Sequence, residues 1–156
     1  YKNKKFVKLD GKTLPFRDKE FDFVIASHVI EHVEDVTFFI KELERVSKKG
    51  YIELPSTLED NLVFENKNDH LWHLEFDDIK NQLLIKKRIQ YIEPVITVST
   101  AKKLSKYFRQ SLILELFWEK SIEFSVDEKS NFKYDKISRL SLVRKFFSKL
   151  LRNLIR

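Results

Sequence analysis

Residues Phe21 to Pro55 read as strand, helix and strand, and that order constrains the fold more than any other feature of the chain. Phe21-Asp22-Phe23-Val24-Ile25-Ala26 is a short, nearly continuous apolar run rich in β-formers. Such a run suits a strand buried on both faces of a parallel sheet. From Asp35, the expected N-cap, Val36, Phe39, Ile40, Leu43 and Val46 recur at helical spacing. Lys41, Glu42, Glu44, Arg45 and Lys48 fill the solvent side. Gly50 is expected to end this helix as a left-handed cap residue. Tyr51-Ile52-Glu53-Leu54 then forms the second strand, closed by Pro55. A strand, helix and strand within about 35 residues make a crossover connection, which implies parallel pairing.

The flanks are less regular. Phe6-Val7-Lys8-Leu9 alternates as a short half-exposed strand does, and Asp10-Gly11 begins a loop that runs through Pro15. A polar loop is expected from Ser56 to Asp69, a length usually reserved for functional segments. Beyond it the pattern predicts a strand at Trp72 to Phe76 and a helix capped by Asp77 and running through Leu84. Ile89 to Ile96 reads as a strand, Thr100 as the cap of a further helix, and Leu112 to Trp118 and Ile122 to Val126 as strands.

Composition narrows the class. The 42% hydrophobic and 35% charged residues describe a globular chain rather than a disordered one. With no cysteine there is no disulfide framework, thiolate metal site or cysteine nucleophile, and a reducing, cytoplasmic setting is the expectation. No run approaches the roughly 18 apolar residues needed to span a bilayer. The formal net charge of +6 resides wholly in residues 137–156, because acidic and basic residues balance before that point. The only two glycines are Gly11 and Gly50, so no G-x-G-type phosphate or nucleotide loop exists in this sequence. The chain contains no methionine, and with the missing Gly-rich loop this leads us to expect a fragment of a longer polypeptide.

The residues at the joints of the crossover carry a resemblance. Asp10-Gly11, Leu14-Pro15-Phe16, Asp18, Phe21-Asp22 and Ser27-His28-Val29-Ile30-Glu31-His32, followed by the Gly50 to Pro55 strand, are similar to the second half of class I S-adenosylmethionine-dependent methyltransferases of the small-molecule, type 11-like kind. The resemblance covers residues 6–57 well and 70–85 weakly. It implies an α/β fold: a partial Rossmann-like methyltransferase sheet in a three-layer αβα arrangement that lacks its first strands. It also implies S-adenosyl-L-methionine as cofactor and a small-molecule methyl acceptor. Because the Gly-rich opening is absent, these residues alone are expected to bind the cofactor poorly. The Phe21 to Ala26 strand is expected to present a bare apolar edge.

Ligands of open α/β sheets bind beyond the carboxyl ends of the strands, which directs attention to Asp10-Gly11 and Ser27-His28. By resemblance, Asp10 hydrogen-bonds the adenine amino group, and Gly11 and Leu14 shape the adenine pocket. Asp10-Gly11 is equally a dipeptide that favours a tight turn. Ser27 and His28 are expected to border the sulfonium and methyl group, with Glu31 and His32 touching substrate or stabilising the loop. His28-x-x-Glu31-His32 also matches the H-x-x-E-H spacing of inverted zinc peptidases. That chemistry needs a regular helix, whereas this motif directly follows a strand, and no metal is assigned to it. A third reading leaves these histidines satisfied by their neighbours. His70-Leu71-Trp72-His73 resembles the segment after the fifth strand of these enzymes. It makes His70 a candidate catalytic base beside His28, and Trp72 a packing wall or substrate contact.

The tail is amphipathic. Ile137, Leu140, Val143, Phe147, Leu150, Leu151 and Leu154 share one face, and Lys145, Lys149, Arg152 and Arg156 the opposite one. The expected organisation is a methyltransferase-like domain at 1–127, a linker at 128–136 and a basic amphipathic helix at 137–156. That helix suits an anionic membrane surface or a partner protein, giving a cytoplasmic chain with peripheral contacts. Nucleic acid is not expected, since basic residues are not interleaved with exposed aromatics. The function read from the sequence is methyl transfer by an enzyme. The alternative is a non-catalytic methyltransferase remnant that docks through its basic helix.

Overall fold

A computed structural model describes residues 13–128 without interruption, together with Val7, Lys8, Leu140, Val143, Arg144 and Phe147. Asp10, Gly11, most of the Phe6 to Leu9 segment, the linker from 129 and nearly all of the basic tail lie outside the described residues. Val7 and Lys8 themselves are not in a strand.

The predicted crossover is present. β1 (Val24–Ser27), α1 (Val36–Val46) and β2 (Lys49–Pro55) follow one another, and β1 pairs with β2 in parallel, Val24 opposite Gly50 and Ser27 opposite Glu53. Asp35 caps α1, its side chain accepting from the Phe38 amide at 2.8 Å. Val36, Ile40, Leu43 and Val46 are buried along one face, as their spacing requires. Gly50 departs from the expectation. It is not a helix cap but a buried position inside β2, and α1 ends four residues earlier, at Val46. A Cβ built there would stand 2.6 Å from the Val24 carbonyl oxygen and 2.8 Å from Trp118 Nε1. Close approach, rather than a left-handed turn, is what this glycine permits.

Residues 56–69 are helical rather than open loop. Ser56 caps α2 (Thr57–Leu62), and the short turn α3 (Asn66–Asp69) follows. The predicted helix from Asp77 is instead a hairpin: β3 (Trp72–Asp77) turns into β4 (Gln82–Lys87), antiparallel. Asp77 Oδ1 accepts from the Ile79 and Lys80 amides, and Asn81 adopts a φ of 51° to close the turn. Alternation explains the strand, since Leu83 and Ile85 are both fully buried. Residues 89–96 form no regular strand. Thr97, not Thr100, caps α4 (Val98–Leu112). β5 (Ile113–Glu119) and β6 (Phe124–Asp127) complete the described elements.

Two three-stranded sheets result, ordered β1-β2-β5 and β3-β4-β6. β5 runs antiparallel to β2, and β6 runs parallel to β4. Both sheets contribute to one core, in which Ile52, Leu54 and Trp118 join Ile40 and Leu43 from α1 and Trp72, Leu74, Leu83 and Ile85 from the hairpin. The architecture is that of a partial, Rossmann-like α/β unit. Among the described residues β1 has only β2 as a neighbour, and Phe23 and Ile25 are exposed along it.

The approach to β1 is fastened to α1 by one arginine. Arg45 donates to the carbonyls of Leu14 and Phe16 and to Asp18, and it is paired with Glu42. Glu42 also accepts from the Leu14 amide at 2.8 Å. Hydrogen bonding from Arg45, reinforced by the Leu14 amide, outweighs burial and holds Glu42 below the usual carboxylate range. A depressed folded-state pKa adds stability that is present above the unfolded-state value of about 4.3 and lost as pH falls through the folded one. Glu42→Ala is therefore expected to cost about 2 kcal/mol near neutral pH. In urea melts, Glu42→Gln should show less acid dependence below about pH 4.5 than the parent chain does. An unchanged acid profile in Glu42→Gln would remove this pair from the account.

Candidate active site

The carboxyl end of β1 meets that of β2, and the chain turns sharply there. His28 takes a φ of 53°, a left-handed conformation uncommon for a side-chain-bearing residue, and its amide donates to the Glu53 carbonyl at 2.8 Å. The turn swings the imidazole over the strand ends, where it remains 47% exposed. His28 Nδ1 lies 3.4 Å from Glu31 Oε1 and Nε2 3.7 Å from Glu53 Oε1. The hydrogen-bonding partner Glu31 raises the pKa of His28 above its ordinary value, against the opposing effect of partial burial. Ser27 Oγ donates to Glu53 Oε1 at 3.2 Å.

An open cavity of about 540 Å³ lies beside His28. Glu53 and Glu59 line it together with His70, and Lys102 and Arg109 from α4 form its other wall. Arg109 bridges Glu53 and Glu115, and the Tyr51 hydroxyl lies within hydrogen-bond reach of the same two carboxylates, its single hydrogen serving one at a time. Burial works to raise the Glu53 pKa, but hydrogen bonds from Tyr51, Arg109 and Ser27 leave it below the usual range. Glu59 is the opposite case. Burial, with help from the nearby Asp60 and Glu31 charges, pushes its pKa up, and its Oε2 has no hydrogen-bond partner among the described residues.

Behind His70 lies a buried polar hub. Asp60 is 1% exposed and binds His70 Nδ1 through Oδ1, while Oδ2 takes His73 Nε2 and Arg88 Nε, each at 2.7 Å. Burial alone would raise the Asp60 pKa; hydrogen bonds from His70 and His73 and the Arg88 charge bring it far below the ordinary value. An imidazole backed by a carboxylate has its Nδ1 hydrogen and ring orientation fixed, leaving Nε2 with a lone pair.

The structure thus places both catalytic candidates, His28 and His70, on one cavity, although 42 positions of sequence separate them. Ser27 does not line the cavity and reaches it only through its hydrogen bond to Glu53. Glu31 is buried beneath His28, and exposed His32 is tied by Nδ1 to the Asp69 carbonyl at 2.9 Å. Trp72 is a core residue whose Nε1 donates to the Val33 carbonyl at 2.8 Å. Leu14 lines a separate apolar recess of about 210 Å³ with Phe16, Phe21, Ile25, Val29 and Phe39. Residues Ile30–His32 form a single 3₁₀ turn, so His28 and His32 do not share the regular helix that the H-x-x-E-H peptidase reading requires. That reading is set aside. Sequence reasoning missed Glu53, Glu59, Asp60, Arg88 and Arg109. Only Glu53 had a usable signal, its place at the carboxyl end of a parallel strand.

Residues 1–52 match a family described as a methyltransferase domain. That match takes in about a third of the chain. The methyltransferase match therefore holds β1, the His28 turn, α1 and the start of β2, while Glu53, Glu59, His70 and the α4 wall of the cavity come from later residues. A 40-residue stretch, 26% of the chain, is 45% identical to an uncharacterized protein of Methanocaldococcus jannaschii. The match covers 20% of that protein, so the chain spans about a fifth of its relative's length there. Among the described residues no helix is long and apolar enough to cross a membrane.

Proposed function

We propose that the chain supplies the acceptor side of an S-adenosylmethionine-dependent methyl transfer to a small molecule. The observation that carries this reading is that a strand end within the methyltransferase match, Ser27-His28, opens onto a cavity walled by later elements. In methyl transfer a lone pair of the acceptor forms a bond to the methyl carbon. The carbon–sulfur bond breaks, its electrons return to sulfur to give S-adenosylhomocysteine, and the acceptor's proton passes to solvent in the open cavity. Displacement of this kind asks the protein chiefly to align two reactants. His28 and His70 face the cavity and are the residues assigned to touch the acceptor; Ser27 and Leu14, with Asp10 and Gly11, are assigned to the cofactor side.

With two glycines in the whole chain there is no loop to cradle the cofactor's carboxypropyl end, so affinity should be low. Titration of the isotopically labelled chain with S-adenosylhomocysteine, followed by amide chemical shifts, tests this. Saturable shifts confined to the Ser27–Glu31 amides and those of Glu53, Leu54 and Ser56 are expected, with a dissociation constant of about 1 mM. Absence of any saturable shift at about 10 mM ligand, or shifts centred away from these strand ends, would defeat the assignment. Micromolar affinity would instead refute the inference that the missing loop limits binding.

A further inference from the structure

We propose that Glu31, His32 and His70 form a binding site for one borderline divalent cation of the zinc type. Each side chain offers one potential ligand atom, and these atoms all lie within 4.8 Å of one another. Two imidazoles and a carboxylate are a donor set that zinc and its neighbours in the first transition row accept readily.

The second observation is the state of Glu31. Its side chain is 1% exposed, and its Oε2 accepts no hydrogen bond among the described residues. His28 Nδ1, at 3.4 Å from Oε1, is its ion-pair partner and is itself half exposed. A buried carboxylate oxygen without a donor is costly, and such an atom in a folded protein calls for a partner. A cation between Glu31 and the two imidazoles provides one.

Outer contacts prepare both histidines for that role. His32 Nδ1 faces the Asp69 carbonyl, which can only accept, so the ring hydrogen sits on Nδ1. His70 Nδ1 faces the Asp60 carboxylate in the same sense. Each ring is thereby left with its Nε2 lone pair free. Metal-binding histidines typically donate their other ring N–H to a carboxylate or carbonyl, and this fixes their tautomer and orientation. The rings already meet edge to face, with centroids 4.6 Å apart. The backbone holds them there, since the Leu71 amide donates to the Glu31 carbonyl at 2.7 Å and fastens the 3₁₀ turn to the start of β3. Ligand atoms around zinc stand about 3.3 Å apart, so the three atoms, within 4.8 Å of one another, draw closer when a cation binds. Three protein ligands leave a coordination position for water or a bound oxygen. This site does not rest on the methyl-transfer reading, although it uses the same His70 imidazole that reading assigns to the acceptor.

Cobalt(II) titration of the full 156-residue chain tests it, read by visible ligand-field absorption. One equivalent is expected to saturate a band of tetrahedral intensity, and one equivalent of zinc to abolish it. His32→Ala, at an exposed position, should fold as judged by circular dichroism and bind cobalt at least about 10-fold more weakly. His28→Ala should keep the band, because His28 is not a ligand. No saturable band, undiminished binding in His32→Ala, or loss of the band in His28→Ala would each overturn the proposal. The S-adenosylhomocysteine shifts report separately, so failure of either reading leaves the other standing.

Discussion

Asp60→Ala is expected to lower stability by about 3–5 kcal/mol, a large part of what a domain of this size possesses. Asp60 is buried in α2 and is the common acceptor for His70, His73 and Arg88, whose side chains are 7%, 2% and 8% exposed. Removing the carboxylate leaves the Arg88 guanidinium buried, with Gln90 and backbone carbonyls for partners. Breaking a buried ion pair on one side costs more than the pair's net worth, because the remaining charge keeps its desolvation penalty. Asp60→Asn retains the shape and some hydrogen bonds, so its cost should be smaller. Urea denaturation followed by circular dichroism measures both. A loss below about 1 kcal/mol in Asp60→Ala would mean that Arg88 finds water easily and that the hub is not a keystone.

Gly50→Ala should be nearly as damaging, at about 2–3 kcal/mol, through overpacking. The added methyl group would lie 2.6 Å from a backbone oxygen, the Val24 carbonyl, and 2.8 Å from both Val24 Cγ1 and Trp118 Nε1. Backbone cannot swing aside as a flexible side-chain end does, so β1 must move away from β2. The consequence reaches the cavity, because the next rungs of that ladder end at Ser27 opposite Glu53 and at the bond from the His28 amide. Amide hydrogen exchange at His28 should accelerate in the variant alongside the fall in urea midpoint. Unaltered exchange there would show that the strain is absorbed elsewhere.

How much of this was legible in the sequence depended on the range of the interaction that decides it. α1 was readable because its cap and its buried positions lie within one stretch, Asp35 to Val46. The parallel pairing of β1 with β2 followed from the crossover order. Gly50 was misread because local rules place a glycine after a helix at a cap, whereas its neighbours Val24 and Trp118 are distant in sequence. Residues 77–84 were misread for a related reason. Leu83 and Ile85 alternate too briefly to separate strand from helix, and pairing with β3 decides in favour of strand. His28 and His70 were singled out by the resemblance, but Asp60 could not be. Its partners stand 10, 13 and 28 positions away, and nothing in their spacing announces a shared carboxylate.

The far wall of the cavity belongs to α4, whose Lys102 and Arg109 face the opening while β1 and β2 supply the floor. Under the proposed function, this division between a helix and two strand ends would let selectivity vary apart from chemistry. Exchanging Lys102 would alter that wall alone, whereas exchanging Arg109 would also release Glu53 and so loosen the frame around His28.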